Sequence, residues 1–170
     1  DIPPEWVGRV REGSFHGYPF AYGAGVFFPI TQSSPEDYRL LLPLTAADSA
    51  RVRTMRRPAA LLQAHSAPMA IAFGHGGLPA PYNQGAFVAL RGSWNRRPYT
   101  GYKIVFLHHD APGDEAFAAY SDFLTGFLTN ADAGERWARP VGLAIDGRGH
   151  IYVSSDDITP MIVKLIPPGR

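Results

Sequence analysis

Short runs of mostly apolar residues, each bounded by glycine, proline or polar residues, recur along the chain. The first three runs are PMAIAF at 68–73, GAFVALRGS at 85–93 and GYKIVFL at 101–107. Three similar runs follow as PVGLAI at 140–145, GHIYVSSDD at 149–157 and MIVKLI at 161–166. A short apolar run between turn-forming residues is typical of a buried strand, so each run predicts a short β-strand. The pattern therefore predicts two similar units, at about 65–107 and 140–167.

Repeated units of three or four short strands are typical of the blades of a β-propeller. Residues 108–139 have room for a further outer strand and for one helical turn around AFAAYSDFLTGFL, 116–128. Residues 1–64 predict an irregular first blade, with YRLLLPL at 38–44 as a strand after an excursion loop around SPEDY. We therefore expect a single all-β domain over 1–170, with about three propeller blades and long excursion loops. The alternative is a small meander or sandwich whose halves are alike by chance.

The composition fits one folded domain and narrows its class. The chain has 170 residues, 45% of them hydrophobic, with 18 glycines, 16 prolines, no cysteine and a formal charge of +1. Such dense glycine and proline favour short strands and turns. The charge indicates neither nucleic acid nor a membrane surface as partner, and no apolar run approaches the ~20 residues of a membrane span. Without cysteine, disulfide scaffolds and thiolate metal sites are excluded.

Arginines lie next to strand ends in both units. GSWNRRP, 92–98, carries Arg96 and Arg97, and RWARPVG, 136–142, carries Arg139. Groups at the ends of inner propeller strands collect near the axis, and arginine pairs bidentately with carboxylates. The two segments therefore predict a site for a small polyanion. The alternative is that these arginines lie in solvent or brace a loop.

Other polar clusters give weaker signals. RVRTMRR, 51–57, is basic, but an exposed basic loop explains it better than an anion site. Asp156 and Asp157 offer oxygens to calcium, yet they lack the spacing of a calcium loop and fit turn residues better. The chain starts at Asp1 without a signal-peptide pattern, so we expect it to be processed or cut from a larger protein.

Four segments together resemble a known family. These are AHSAPMAIAF, GAFVALRGSWNRRPYTGYKIVF, DFLTGFL and WARPVGLAIDGRGHIYVSSDD. They are similar to the C-terminal portion of soluble pyrroloquinoline quinone (PQQ)-dependent sugar dehydrogenases, most closely the branch labelled L-sorbosone dehydrogenase. The opening residues 1–23 are similar to a stretch of that branch that ends in Tyr-Gly-Trp-Pro. Two departures from the family pattern are mild. Gly17-Tyr18-Pro19 stands where relatives have Gly-Trp-Pro, and Trp137-Ala138-Arg139-Pro140 stands where they often have Trp-Gly-Arg-Pro.

The resemblance implies a six-bladed propeller with PQQ across its axis. It implies that Asn95, Arg96 and Arg139 bind the carboxylates of PQQ, with His65 near the cofactor or sugar and Trp94 packed beside them. It further implies calcium as a second cofactor, a sugar substrate, an electron acceptor and a periplasmic or secreted location.

The family's catalytic histidine and an earlier Arg–Asn pair belong to an N-terminal half that this chain lacks, and the calcium-binding carbonyls would fall at or before Asp1. We therefore expect the isolated chain to lack the catalytic base and the calcium site, with His65 as the one candidate for a substitute base. A missing N-terminal half or a second copy is expected to close the propeller. The alternative is a non-catalytic propeller fragment or degenerate homologue that serves as a binding or assembly module.

Overall fold

The computed structural model describes residues 3–22, 26–27, 45–109, 116–157 and 159–167. Within these residues lie thirteen strands and one helix, α1 (Ala46–Arg53). The strands are β1 (Glu5–Val7), β2 (Ala21–Tyr22), β3 (Val26–Phe27), β4 (Ala60–Leu62), β5 (Pro68–Phe73), β6 (Gly85–Leu90), β7 (Lys103–His108), β8 (Ala119–Leu124), β9 (Leu128–Asn130), β10 (Glu135–Arg136), β11 (Pro140–Ile145), β12 (Ile151–Ser155) and β13 (Met161–Leu165). The strand predicted at 38–44 and the loop around SPEDY lie outside the described residues.

Two antiparallel meanders dominate the fold. Strands β5-β6-β7-β8 form a four-stranded sheet, and β11-β12-β13 form a three-stranded sheet beside it. Strands β1 and β4 form a two-stranded sheet, as do β2 with β3 and β9 with β10. Consecutive strands that pair in order are the arrangement of a propeller blade. The prediction of an all-β propeller fold is confirmed, whereas the exact unit boundaries stay a prediction.

The central strand β6 is covered on both faces, and all six of its residues are buried. Phe87 and Ala89 belong to a cluster that includes Ile151 and Val153 of the neighbouring three-stranded sheet. On the opposite face, Ala86, Val88 and Leu90 pack with Leu62 of β4, and Val7 of β1 lies against them. Burying a side chain as large as Phe87 stabilises the fold by about 1.5–3 kcal/mol. The four-stranded sheet is therefore the middle layer of three.

The segment 116–128 contains no helical turn, so that part of the prediction is wrong. Residues Ala119–Leu124 form β8, which pairs antiparallel with β7 along one edge of the four-stranded sheet. Phe123 and Leu124 pack on the core, while the first four residues of β8 are exposed. An edge strand that buries so little carries no clear alternation, which explains why the sequence was ambiguous there.

The basic segment 51–57 is not a simple loop, because its first residues belong to helix α1. Thr45 begins this helix with a capping box: its Oγ1 accepts from the Asp48 N–H at 3.1 Å, and Asp48 Oδ2 accepts from the Thr45 N–H at 3.0 Å. Arg51 and Arg53 lie in the last turn, where positive charge is favourable. In the described part of the chain, this eight-residue helix is too short and too polar to cross a membrane, and no other helix is long and apolar enough.

Asp146 organises the turn between β11 and β12. Its carboxylate accepts from the N–H groups of Arg148 at 2.9 Å and His150 at 3.0 Å, from His150 Nδ1 at 2.8 Å and from the Tyr152 hydroxyl at 3.2 Å. Desolvation raises the pKa of this carboxyl, but the hydrogen bonds from His150 and Arg148 and the charge of His150 lower it to about 2. The charged form is thus the one that the hairpin stabilises.

Replacing Asp146 is expected to change the acid stability of the fold. A carboxyl with a depressed pKa contributes stability that is complete above its ordinary value of 3.8 and is lost as the pH falls towards about 2. Asp146→Asn should lower the free energy of unfolding at pH 7 and flatten its decline in that acidic range. Urea unfolding at several pH values measures both effects, with Asp132→Asn in an exposed turn as the control. Identical pH profiles for the wild type and Asp146→Asn would contradict this role.

Candidate functional site

The turn before β5 is fastened to the end of β6. The carbonyl of Ser66 accepts from the Gly92 N–H at 2.9 Å, and that of Ala67 accepts from the Arg91 N–H at 2.9 Å. His65 and Ala67 have φ angles of 64° and 53°, a left-handed conformation that non-glycine residues rarely adopt. These backbone bonds hold half-buried His65 at the same corner as the loop that follows β6.

The loop between β6 and β7 is held by its own backbone and by Tyr102. The hydroxyl of Tyr102 donates to the Ser93 carbonyl at 2.5 Å, and Ser93 and Thr100 exchange two further hydrogen bonds of 2.9 Å. Gly92 has a φ of 104°, and a Cβ there would meet the Tyr102 ring at 2.3 Å. Glycine at position 92 is therefore required by the packing of the buried Tyr102 ring.

The polar residues of this loop have different environments. Trp94 is 77% exposed, Asn95 is exposed and Arg96 is half-buried. Arg96 Nη1 donates to the carbonyl of Ala64 at 3.0 Å, which places this guanidinium beside the His65 turn. Arg97 is exposed, and its guanidinium lies 3.8 Å from the centre of the Tyr99 ring. Arg96, and not Arg97, therefore lies next to the His65 turn.

A second corner forms where β11 begins and β12 ends. The N–H of Arg139 donates to Ser155 Oγ at 3.0 Å, and its carbonyl accepts from the Asp156 N–H at 3.4 Å. The Nε of Arg139 is buried and has no hydrogen-bond partner. Leaving a buried donor unpaired costs about 1–3 kcal/mol. Arg139 as a whole is only half-buried, so an acceptor would reach the remainder of its guanidinium rather than Nε.

An ion pair joins the two corners. Arg91, directly after β6, places Nε 2.7 Å from Oδ2 of Asp156, directly after β12. His65, Arg96 and Arg139 therefore lie in segments at the same end of the two sheets. The carboxylates of Asp156 and Asp157 pair with arginines across the fold, a role that the sequence alone did not indicate.

Residues 134–137 form a rim beside the second corner. Arg136 Nε lies 2.9 Å from Asp157 Oδ2, and Arg136 Nη1 donates to the Gly134 carbonyl at 3.1 Å. The Asp157 side chain is only 9% exposed. Trp137, by contrast, is 46% exposed, although its Nε1 donates to the Gly126 carbonyl at 2.7 Å. The position of Arg91, Asp156 and Asp157 at strand ends is a sequence feature that could have marked them, but it does not reveal which residues they pair with.

These groups suit an anionic ligand. Arg96 and the exposed amide of Asn95 lie on the segment that follows β6, and Arg139 lies on the segment that precedes β11. The Arg91–Asp156 ion pair joins these two corners. Guanidinium and amide N–H groups are the donors that carboxylates accept from. Among the described residues there is no cluster of three or more His, Asp or Glu side chains that could hold a metal ion. The donor set thus fits PQQ, whereas calcium rests on the resemblance.

Comparison with known proteins gives a family match over nearly the whole chain. A family model described as TrAA12-like matches residues 6–164. The PQQ-dependent pyranose dehydrogenase of Coprinopsis cinerea is 38% identical in a 114-residue alignment that covers 59% of this chain and 15% of that protein. An uncharacterized protein of Borreliella burgdorferi is 28% identical over 159 residues, 92% of this chain and 37% of that protein. The chain therefore spans well under half of these relatives.

Two solved structures are similar in fold. The holo form of the pyranose dehydrogenase PQQ domain from Coprinopsis cinerea has a TM-score of 0.57 at 28% identity, over 90% of this chain and 40% of that one. A calcium structure of the Carbohydrate-Active Enzymes Family AA12 from Trichoderma reesei has a TM-score of 0.65 at 23% identity, over 97% of this chain and 43% of that one. The resemblance is confirmed for a PQQ-dependent dehydrogenase-like domain, and the sorbosone branch stays a prediction.

The two ion pairs of the site should differ in strength. Asp157→Ala is expected to lower the free energy of unfolding by about 1.5–3 kcal/mol. The substitution removes the nearly buried carboxylate that accepts a charged hydrogen bond from Arg136. Asp156→Ala should cost less than about 1 kcal/mol, because the Arg91–Asp156 pair is more exposed. Urea unfolding of both variants measures the difference. A larger loss for Asp156→Ala would contradict the ranking.

Proposed function

Because the chain belongs to the TrAA12-like family, we propose that it forms part of a PQQ-dependent sugar dehydrogenase and supplies arginines that bind the cofactor. The observation that carries this proposal is the position of Arg139, a half-buried arginine at a corner that the Arg91–Asp156 pair joins to that of Arg96. Arg139 lies at the same end of the sheets as Arg96, the residue that neighbours the His65 turn. PQQ is a polycarboxylate, and a carboxylate oxygen is a strong acceptor for a guanidinium N–H.

Each residue of the site has a proposed role in binding. Arg139 and Arg96 hold carboxylates of PQQ and thereby fix its orientation. The exposed amide of Asn95 adds a donor, and the exposed ring of Trp94 packs beside the cofactor. His65 orients the cofactor or the sugar through a ring nitrogen. Arg97 takes no part, because its guanidinium lies on the Tyr99 ring.

PQQ, when bound, supplies an acceptor for the hydride of a sugar carbinol or lactol. This chain contributes binding and orientation to that reaction. We assign the proton-accepting base and the calcium ligands to a part of the propeller outside this chain. Turnover of an aldose with an artificial electron acceptor by the isolated monomer would contradict that assignment.

The proposal includes a completing partner, because the chain spans 40% of the pyranose dehydrogenase PQQ domain. An N-terminal half or a second copy of this chain would close the ring and cover the exposed Ile162 and Ile166. A sugar and an external electron acceptor are the proposed small-molecule partners. We propose a periplasmic or secreted location and the sorbosone-like branch from the family resemblance alone.

Substitution of single arginines tests the proposal. Arg139→Ala and Arg96→Ala should each weaken PQQ binding about 10- to 100-fold, because each removes a charged hydrogen bond. Arg97→Ala is the matched control and should bind PQQ like the wild type. Titration of PQQ into the 170-residue chain, followed by the absorbance of the quinone at millimolar protein, measures all four affinities. Equal affinities in the four proteins, or no binding to any of them, would contradict the proposal.

A further inference from the structure

An open cleft lies beside the Arg139 corner. It has a volume of ≈ 630 Å³, and its lining includes Glu135, Arg136, Trp137 and Asp157. This volume falls within the roughly 300–1,000 Å³ that small-molecule sites occupy. Trp137 precedes Arg139 by two residues, which an extended chain spans in at most about 7 Å. The cleft therefore lies beside the segment that carries Arg139.

Trp137 is fixed in place and yet exposed. Its Nε1 donates to the Gly126 carbonyl at 2.7 Å, and its ring centre lies 4.9 Å from that of Phe127 at an angle of 36°. With the indole N–H bonded and one side packed on Phe127, the side chain still leaves 46% of its surface in solvent. An aromatic surface that is already immobilised loses little entropy when a ligand covers it. Such a ring suits the apolar C–H face of a sugar.

The remaining lining groups are charged and hydrogen-bonding. Arg136 Nε and Asp157 Oδ2 form an ion pair of 2.9 Å, and Glu135 is exposed at the rim. Carboxylate oxygens accept from hydroxyl groups, and a guanidinium donates to them. The two carboxylates disfavour a phosphate-bearing ligand such as a nucleotide, although its base would also stack on an indole. A neutral polyhydroxyl ring uses both the aromatic face and the charged groups.

We propose that this cleft is a subsite for a pyranose ring of an oligosaccharide, with Trp137 as its stacking platform. The inference rests on the proposed function, because the ring in the cleft is the neighbour of the sugar unit that lies at the cofactor. The subsite selects chains of two or more sugar units over single sugars. Arg136 and Asp157 position the ring by hydrogen bonds to its hydroxyls.

Titration of cellotriose into the full 170-residue chain, without cofactor, tests the subsite. Isothermal calorimetry should show binding to the wild type and a loss of at least about tenfold in Trp137→Ala. Trp137→Phe, which keeps a flat ring, should retain most of the affinity. Phe73→Ala is the matched control, since Phe73 is 64% exposed but ends β5 at the opposite end of the sheet from the His65 turn. Thermal unfolding of each variant confirms that it folds.

Several results would overturn the subsite. Cellotriose that binds Trp137→Ala and the wild type alike, or that fails to bind the wild type at millimolar concentration, would do so. Binding of AMP in preference to cellotriose would identify a nucleotide site instead. Titration of PQQ into the same wild-type protein separates this proposal from the proposed function. Arginine-dependent PQQ binding without cellotriose binding removes the subsite alone, whereas Trp137-dependent cellotriose binding without PQQ binding removes the cofactor proposal alone.

Discussion

Burial of β6 on both faces is the constraint on which the candidate site depends. Phe87 and Ala89 face the three-stranded sheet, and Ala86, Val88 and Leu90 face the layer of β1 and β4. A slip of one residue would exchange the two faces, so this packing fixes the register of the strand. It thereby fixes where β6 ends and where Arg91 meets Asp156. The polar corners are held in place by apolar packing beneath them.

The two arginines of the proposed site have different surroundings. Arg96 is oriented by a hydrogen bond to the Ala64 carbonyl. Arg139 is half-buried, and its buried Nε has no hydrogen-bond partner. The cleft with Trp137 continues the same surface. The two corners and the cleft together make up only part of the proposed site. This agrees with a chain that spans 40–43% of the similar solved structures.

The sequence predicted the two meanders well, because β5 to β7 and β11 to β13 are short, mostly apolar runs bounded by glycine, proline or polar residues. The sequence interpretation failed at α1, part of which was predicted as an exposed basic loop. Val52 is the buried residue of this helix, so the helix shows no apolar stripe, and the capping box of Thr45 and Asp48 was the signal that could have identified it. The prediction that Arg96 and Arg139 belong to the site came from the segments GSWNRRP and RWARPVG and from the family resemblance. The Arg91–Asp156 pair spans 65 residues of sequence and depends on how two sheets pack, which strand patterns do not encode.

The central claim is that both arginine corners bind one anionic cofactor. NMR signals of the arginine Nε–Hε groups test it most directly, because each reports one guanidinium. On addition of PQQ, the signals of Arg139 and Arg96 should shift together with the same saturation curve, while that of Arg97 stays in place. Saturating PQQ that leaves Arg139 unshifted, or that shifts Arg97 as strongly, would contradict the claim.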